Sequence, residues 1–159
     1  MRIFRIAAVF IFFSIIVFMR RGVLIIEEHP YIVLFDGECN LCDSLVQFTI
    51  KRDRRGELRY AALQSETGQR LIQHYGLTDS AGDTFIFIAR GRAYVRSTAA
   101  LRLLRHLSGG WPVLSLFVII PAFLRDPLYR YVAKNRYRWF GKKQHCMLMK
   151  PEYRERFYT

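Results

Sequence analysis

Two cysteines separated by two residues, Cys39 and Cys42, have the spacing that dithiol chemistry requires. In a helix, this spacing places the second sulfur one turn from the first, close enough to attack a disulfide formed there. A helix that begins near Cys39 would stabilise its thiolate and lower its pKa, because unpaired N–H groups and the helix dipole favour negative charge. We therefore predict that Cys39 is the nucleophile and that Cys42, deeper in the helix and more covered, is the resolving thiol.

A carboxyl group also lies near the two thiols, because Asp36 stands three residues before Cys39. Asp36 could take or give the proton of Cys42 during exchange. It could equally cap the loop or the helix N-terminus. Both interpretations remain open, and the candidate catalytic residues are Cys39, Cys42 and Asp36.

The main alternative for the cysteines is a metal or iron–sulfur site that uses Cys39 and Cys42, with or without Cys146. C-x-x-C is half of a zinc site, but no second C-x-x-C and no H-x-x-x-H follows it in the sequence. The sequence therefore favours dithiol chemistry and predicts no bound metal and no cofactor. A lone cysteine such as Cys146 is predicted to be a small buried apolar residue, with a third redox thiol as the alternative.

The elements around the C-x-x-C motif form a predicted βαβ unit. Residues 31–35 are apolar throughout, as in a strand that is buried on both faces. A helical pattern follows at 40–53 and a second strand at 58–63. Ser65 is a predicted N-cap for a helix that reaches about residue 75 and ends before Gly76.

A β-hairpin is predicted next, with strands at 84–89 and 93–96 joined by a tight turn at 90–92 that contains a glycine. Ser97 or Thr98 is then predicted to cap a helix that reaches about residue 107. Together with the βαβ unit, these elements predict a single α/β core.

The stretch 111–124 carries no charge, and Pro112 suits a first helical turn. A helix that is apolar all round must be buried, so we expect it to pack on the core. A membrane surface or a docked partner are the alternatives.

Basic and aromatic residues dominate the chain from Arg125 onward. This part holds ten Lys and Arg against three Asp and Glu, so it contributes +7 of the net charge of +12. Rings interleaved with cations could bind RNA. Charge runs are more often solvated faces, so we predict a helix with an aromatic inner face and a basic outer face, rather than a surface that binds nucleic acid.

An uncharged stretch at residues 6–19 lies between two pairs of arginines near the N-terminus. Fourteen helical residues rise about 21 Å, short of a hydrocarbon layer of about 30 Å, although residues 3–19 could form an anchor with snorkelling arginines. Two interpretations remain: residues 3–19 associate with a membrane, or translation starts at Met19. A cleaved signal peptide is disfavoured, because no cleavage site with small residues at alternate positions follows the stretch.

The length of 159 residues allows one domain, and 52% apolar residues exclude a disordered chain. We divide the chain into a segment at 1–28, a core at 29–110 and a helical extension of the same domain at 111–159. Three cysteines are too few for a disulfide scaffold, which favours a reducing, cytoplasmic location with an optional N-terminal anchor.

The octapeptide Phe-Asp-Gly-Glu-Cys-Asn-Leu-Cys at 35–42 resembles the signature of the DCC family of thiol-disulfide oxidoreductases, named for its D-x-x-C-x-x-C motif. Further similar strings lie at 51–53, 62–65, 97–101, 109–111, 125–126 and 133–141. The resemblance implies a thioredoxin-like fold, here a βαβ-ββα core with a basic, aromatic C-terminal helical extension. It also implies a protein-disulfide reductase activity.

The implied partners are a disulfide-containing protein or small molecule as substrate and a dithiol reductant of unknown identity. Two features differ from ordinary thioredoxins: the dipeptide Asn40-Leu41 replaces Gly-Pro, and the stretch 80–84 lacks the proline that usually precedes the third strand. The redox poise and the docking of partners should therefore differ as well.

Overall fold

A mixed sheet of five strands forms the centre of the part of the chain described by the structure, a computed structural model that covers residues 29–78, 84–142 and 151–158. The strands are β1 (Tyr31–Phe35), β2 (Leu58–Ala62), β3 (Ile86–Ala89), β4 (Arg92–Val95) and β5 (Phe157–Tyr158), in the order β4-β3-β1-β2-β5. Strand β1 pairs parallel with β2 and antiparallel with β3. All of its residues are buried, as the sequence predicts for a central strand.

Five α-helices lie in the same described residues: α1 (Asn40–Arg52), α2 (Glu66–His74), α3 (Arg96–Leu103), α4 (Trp111–Leu114) and α5 (Ala122–Phe140). Short 3₁₀ turns cover Leu104–His106, Ser115–Ile119 and Pro151–Arg156. The order of strands and helices confirms the α/β class and agrees with a thioredoxin-like βαβ-ββα core.

Alternating residues of the central strands form two apolar layers, one on each face of the sheet. One layer packs β1 against α1 and α3 through Val33, Phe35, Val46, Ile50, Ala99 and Leu103. The other layer packs it against α2 through Ile32, Leu34, Leu71 and Ile72. The C-x-x-C motif therefore begins a helix that is fixed by a full apolar layer.

Helix α2 begins as predicted, because the Ser65 hydroxyl accepts a hydrogen bond from the Gly68 N–H at 3.1 Å. Gly68 itself lies against the preceding strand. A Cβ atom at this position would stand 2.0 Å from the carbonyl oxygen of Ala62. The close approach of α2 to the end of β2 therefore depends on a residue without a side chain.

The predicted hairpin is present, with Arg90 and Gly91 both at positive φ in a two-residue turn. The predicted cap of the next helix is wrong. Helix α3 begins at Arg96 without a side-chain cap, and the Ser97 and Thr98 hydroxyls instead bind the guanidinium of Arg125 in α5. These hydroxyls serve a contact with a distant helix, which local sequence does not reveal.

The prediction that 111–124 packs on the core is also wrong. Trp111 contacts Phe48 of α1, with ring centroids 4.7 Å apart, but most of the following apolar side chains are exposed. Ile119 is 79% exposed and Phe123 is 73% exposed. Because α1 and α3 already cover this face of the sheet, the stretch has no core left to enter. An all-apolar run also carries no signal for which side is buried.

Helix α5 departs from the predicted aromatic inner and basic outer face. Its outer face is apolar in the first half of the helix and basic in the second half. Two of the aromatic rings predicted to lie inside, Tyr131 and Trp139, are at least half-exposed. Its inner face carries a buried arginine, Arg136. No helix within 29–78, 84–142 or 151–158 is long and apolar enough to cross a bilayer.

Several predictions fall on residues that the structure does not describe. They are the N-terminal anchor at 3–19, the alternative start at Met19, and Cys146. The stretch without a proline before β3 is described only at Thr84.

Candidate active site

Both cysteines of the motif lie where β1 ends and α1 begins, at the carboxyl edge of the central strand. Cys39 is the N-cap residue of α1, and its carbonyl oxygen accepts a hydrogen bond from the Asp43 N–H at 3.0 Å. Cys42 lies in the first turn, close to Cys39. The two thiols are free and do not form a disulfide. The structure thus brings together the pair that the spacing predicts.

Cys39 is covered by the end of α5. Its backbone forms a bridge with Lys142, and the neighbouring Asn40 side chain donates to the Phe140 carbonyl oxygen at 2.8 Å. An ion pair joins Lys142 Nζ to Glu38 Oε2 at 2.7 Å. We call residues 140–142 the covering segment. Cys39 under this segment is fully buried.

Cys42 is the more accessible of the two thiols, which reverses the sequence-based expectation. Burial raises its pKa to about 12, with further increases from its hydrogen bond to Cys39 and from negative charge on Cys39. The positive charge of Arg136 opposes part of this rise. At neutral pH Cys42 is therefore a thiol.

Asp36 lies beside the cysteines and is almost completely buried. Its Oδ1 accepts hydrogen bonds from the Glu38 N–H at 3.0 Å and from Gln64 Nε2 at 2.8 Å. Its Oδ2 accepts from Arg136 Nη2 at 2.9 Å and from the Tyr137 hydroxyl. The carboxylate therefore connects the loop before Cys39 to the turn after β2 and to α5.

This set of donors determines the charge of Asp36. Burial alone would raise its pKa, but the hydrogen bonds, that of Tyr137 first, together outweigh burial and lower the pKa below its usual value. A carboxylate that accepts four hydrogen bonds is well suited to capping the loop. It is a weak base, so these contacts favour capping over the transfer of the Cys42 proton.

Three residues of this network had no assigned role in the sequence: Gln64, Arg136 and Tyr137. Gln64 lies in the similar string at 62–65, and Arg136 and Tyr137 lie in the similar string at 133–141. The strings marked the positions, but nothing in the local sequence connected them to Asp36. Their contact spans 100 residues of chain in the case of Arg136.

A cavity of about 190 Å³ opens beside Cys42, between α1, α3 and α5. Its wall is largely apolar and includes Leu45, Phe85 and Val132. Thr84, the residue described before β3, also contributes to the wall. The accessible thiol therefore faces an apolar space.

Metal ligands are sparse in this region. Among the residues that the structure describes, no group of three or more His, Cys, Asp or Glu side chains could hold a metal ion. Cys146, which the alternative metal site could use, lies outside those residues.

Comparison with known proteins agrees with the resemblance drawn from the motif. The model of the DCC1-like thiol-disulfide oxidoreductase family matches residues 33–142. The uncharacterized protein YuxK of Bacillus subtilis is 50% identical over 126 residues, which cover 79% of this chain and 92% of that protein. A chloroplastic DCC family protein of Arabidopsis thaliana is 37% identical over 123 residues, 77% of this chain and 72% of that protein. No solved structure gives a significant match.

Proposed function

Because the chain belongs to the DCC1-like thiol-disulfide oxidoreductase family, we propose that Cys39 and Cys42 together reduce the disulfide of a protein or small-molecule substrate. The observation that carries this proposal is the pair of free thiols at the start of α1. A buried strand before the motif and a packed helix after it support the proposal, because they hold the two cysteines next to each other.

The exchange proceeds in two thiol–disulfide steps. The Cys39 thiolate attacks one substrate sulfur, a Cys39–substrate disulfide forms, and the other substrate sulfur leaves as a thiolate that takes up a proton. The sulfur of Cys42, as it loses its proton, then attacks Cys39. This step forms the Cys39–Cys42 disulfide and releases the second substrate thiol. Two electrons pass from the protein to the substrate, and an external dithiol in a reducing compartment such as the cytoplasm restores the pair.

The assignment of Cys39 as nucleophile is supported by position and by the state of its partner. Cys39 is the N-cap residue of α1, at the positive end of the helix dipole, which attracts the negative charge of an attacking sulfur. Cys42, with its pKa raised to about 12, is a poor nucleophile until a disulfide forms beside it. Because Cys39 is buried, attack requires the covering segment to move away from it.

Trapping experiments test this proposal. With Cys42→Ser, attack should occur without resolution, so mixed disulfides with a disulfide substrate should accumulate and be visible by mass spectrometry. Cys39→Ser should neither trap nor turn over substrate. Serine keeps the volume of cysteine, so circular dichroism should show both variants folded.

The opposite pattern, in which Cys39→Ser traps substrate and Cys42→Ser does not, would reverse the two roles. Full turnover by the variant that lacks both thiols would refute dithiol chemistry altogether.

A further inference from the structure

The cavity beside Cys42 is the feature that the exchange chemistry leaves unused. We propose that it binds an apolar side chain or ring attached next to the disulfide of the substrate, so that the preferred substrates are disulfides with an apolar flank. This inference rests on the proposed function and names the substrate class of the same site.

The size of the cavity suits such a group. Its volume of about 190 Å³ exceeds the roughly 150 Å³ of an apolar cavity that accepts benzene. One aromatic ring or one branched aliphatic side chain would fill it. The entrance includes Leu45, which is half-exposed, so the space is open to a group from outside.

Two hydroxyls in the wall, those of Thr49 and Tyr129, already have partners within the protein. The Thr49 hydroxyl bonds the Val46 carbonyl oxygen at 2.8 Å and the Tyr60 hydroxyl at 3.0 Å. The Tyr129 hydroxyl accepts the Phe85 N–H at 3.0 Å. A polar group that enters this largely apolar cavity loses hydrogen bonds to water and finds few polar atoms to replace them, which is costly, whereas an apolar group gains by leaving water.

The position of the cavity links it to the reacting sulfurs. After attack, the substrate sulfur is bonded to Cys39, and the Cys42 sulfur must approach that disulfide to release it. Cys42 belongs to the cavity wall and lies in the first turn of α1, directly after Cys39. A group attached close to the substrate sulfur therefore has the cavity within its reach while the mixed disulfide exists.

A pair of small disulfides tests the preference. Dibenzyl disulfide and bis(2-hydroxyethyl) disulfide are compared by kcat/KM, each normalised to its rate with a free dithiol. Burying one ring should favour the aromatic disulfide by roughly tenfold or more. Leu45→Asp, at the mouth of the cavity, should abolish the preference. The matched control Leu128→Asp, on the exposed outer face of α5 and outside the cavity wall, should keep it.

A second measurement separates this inference from the exchange chemistry. Benzyl methyl sulfide has no disulfide and cannot react, so its binding to the full chain is followed by NMR shifts at Cys42 and Val132. Binding in the wild type and Leu128→Asp, lost in Leu45→Asp, supports the apolar site. Absence of binding overturns the inference even if disulfides are reduced. Binding without reduction of any disulfide refutes the proposed function and, with it, the substrate class assigned here.

Discussion

Replacing Arg136 with methionine should destabilise the fold by about 3 kcal/mol, because it leaves a buried carboxylate without its opposite charge. Arg136 Nη2 lies 2.9 Å from Asp36 Oδ2, and each side chain is less than a tenth exposed. At an effective dielectric constant of about 20, a unit charge pair at this distance attracts by about 6 kcal/mol. Desolvation of both groups offsets much of that attraction, but the loss of one partner leaves the cost of burying the other.

The figure of about 3 kcal/mol is at the lower end of the usual range of about 3–5 kcal/mol. Asp36 keeps three other donors in the variant: Tyr137, Gln64 and the Glu38 N–H. Methionine keeps the length of the apolar stem, so the packing of α5 changes little. The assay is urea unfolding at pH 7, followed by circular dichroism, with Arg130→Met on the exposed face of α5 as the control.

The pH dependence gives a second, independent readout. The folded pKa of Asp36 is lowered, so its contribution to stability is present above the unfolded value of about 3.9 and is lost as pH falls through the lower folded value. In Arg136→Met the folded pKa should rise, and this acid-induced loss should shrink or change sign. A variant that loses less than about 1 kcal/mol at pH 7 and keeps the wild-type acid profile would refute the reasoning.

Three further predictions follow from the fold. Ile119→Asp should change the free energy of unfolding by less than about 0.5 kcal/mol, because the side chain is 79% exposed; urea unfolding checks this. Lys142→Ala should speed alkylation of Cys39 by about two- to fivefold, because it removes an exposed ion pair that holds the covering segment; mass spectrometry of labelled peptides measures the rate. Gly68→Ala should destabilise the fold by at least about 2 kcal/mol, because its Cβ would meet the Ala62 carbonyl oxygen; thermal unfolding reports it.

Each of these predictions has a matched control. Ile32→Asp, in the fully buried centre of β1, should unfold the protein, and equal effects at the two isoleucines would contradict the exposed surface. Lys134→Ala, exposed on α5, should leave the alkylation rate unchanged. Gly110→Ala, at a φ of −78° with no atom near its Cβ, should be close to neutral, and a neutral Gly68→Ala would contradict the close packing of α2.

Local sequence predicts an element well when the residues that form the pattern also make the contacts that stabilise the element. Strand β1 is apolar at every position because both of its faces are buried, and it lies at the centre as expected. Ser65 caps α2 through an atom three residues away. The hairpin turn needs positive φ at Arg90 and Gly91, and the glycine in the sequence predicts such a turn.

The parts that were predicted wrongly depend on contacts between distant segments. Ser97 and Thr98 resemble helix caps, yet they bind Arg125 in α5. A basic residue in a helix normally predicts exposure, whereas Arg136 is buried because Asp36 lies opposite it. The exposure of Cys39 could not be read from the motif, because the segment that covers it lies 100 residues further along the chain.

The long sequence separation between Asp36 and Arg136 has a kinetic consequence. Strands β1 and β2 with α1 form one contiguous unit, whereas the contact to α5 closes a loop of 100 residues. Contacts at large sequence separation form late in folding, so we expect the transition state to contain the βαβ unit with the Asp36 carboxylate still hydrated. The ion pair then contributes chiefly to the barrier against unfolding. The contact between Asp36 and α5 is thus maintained by slow unfolding rather than by fast folding.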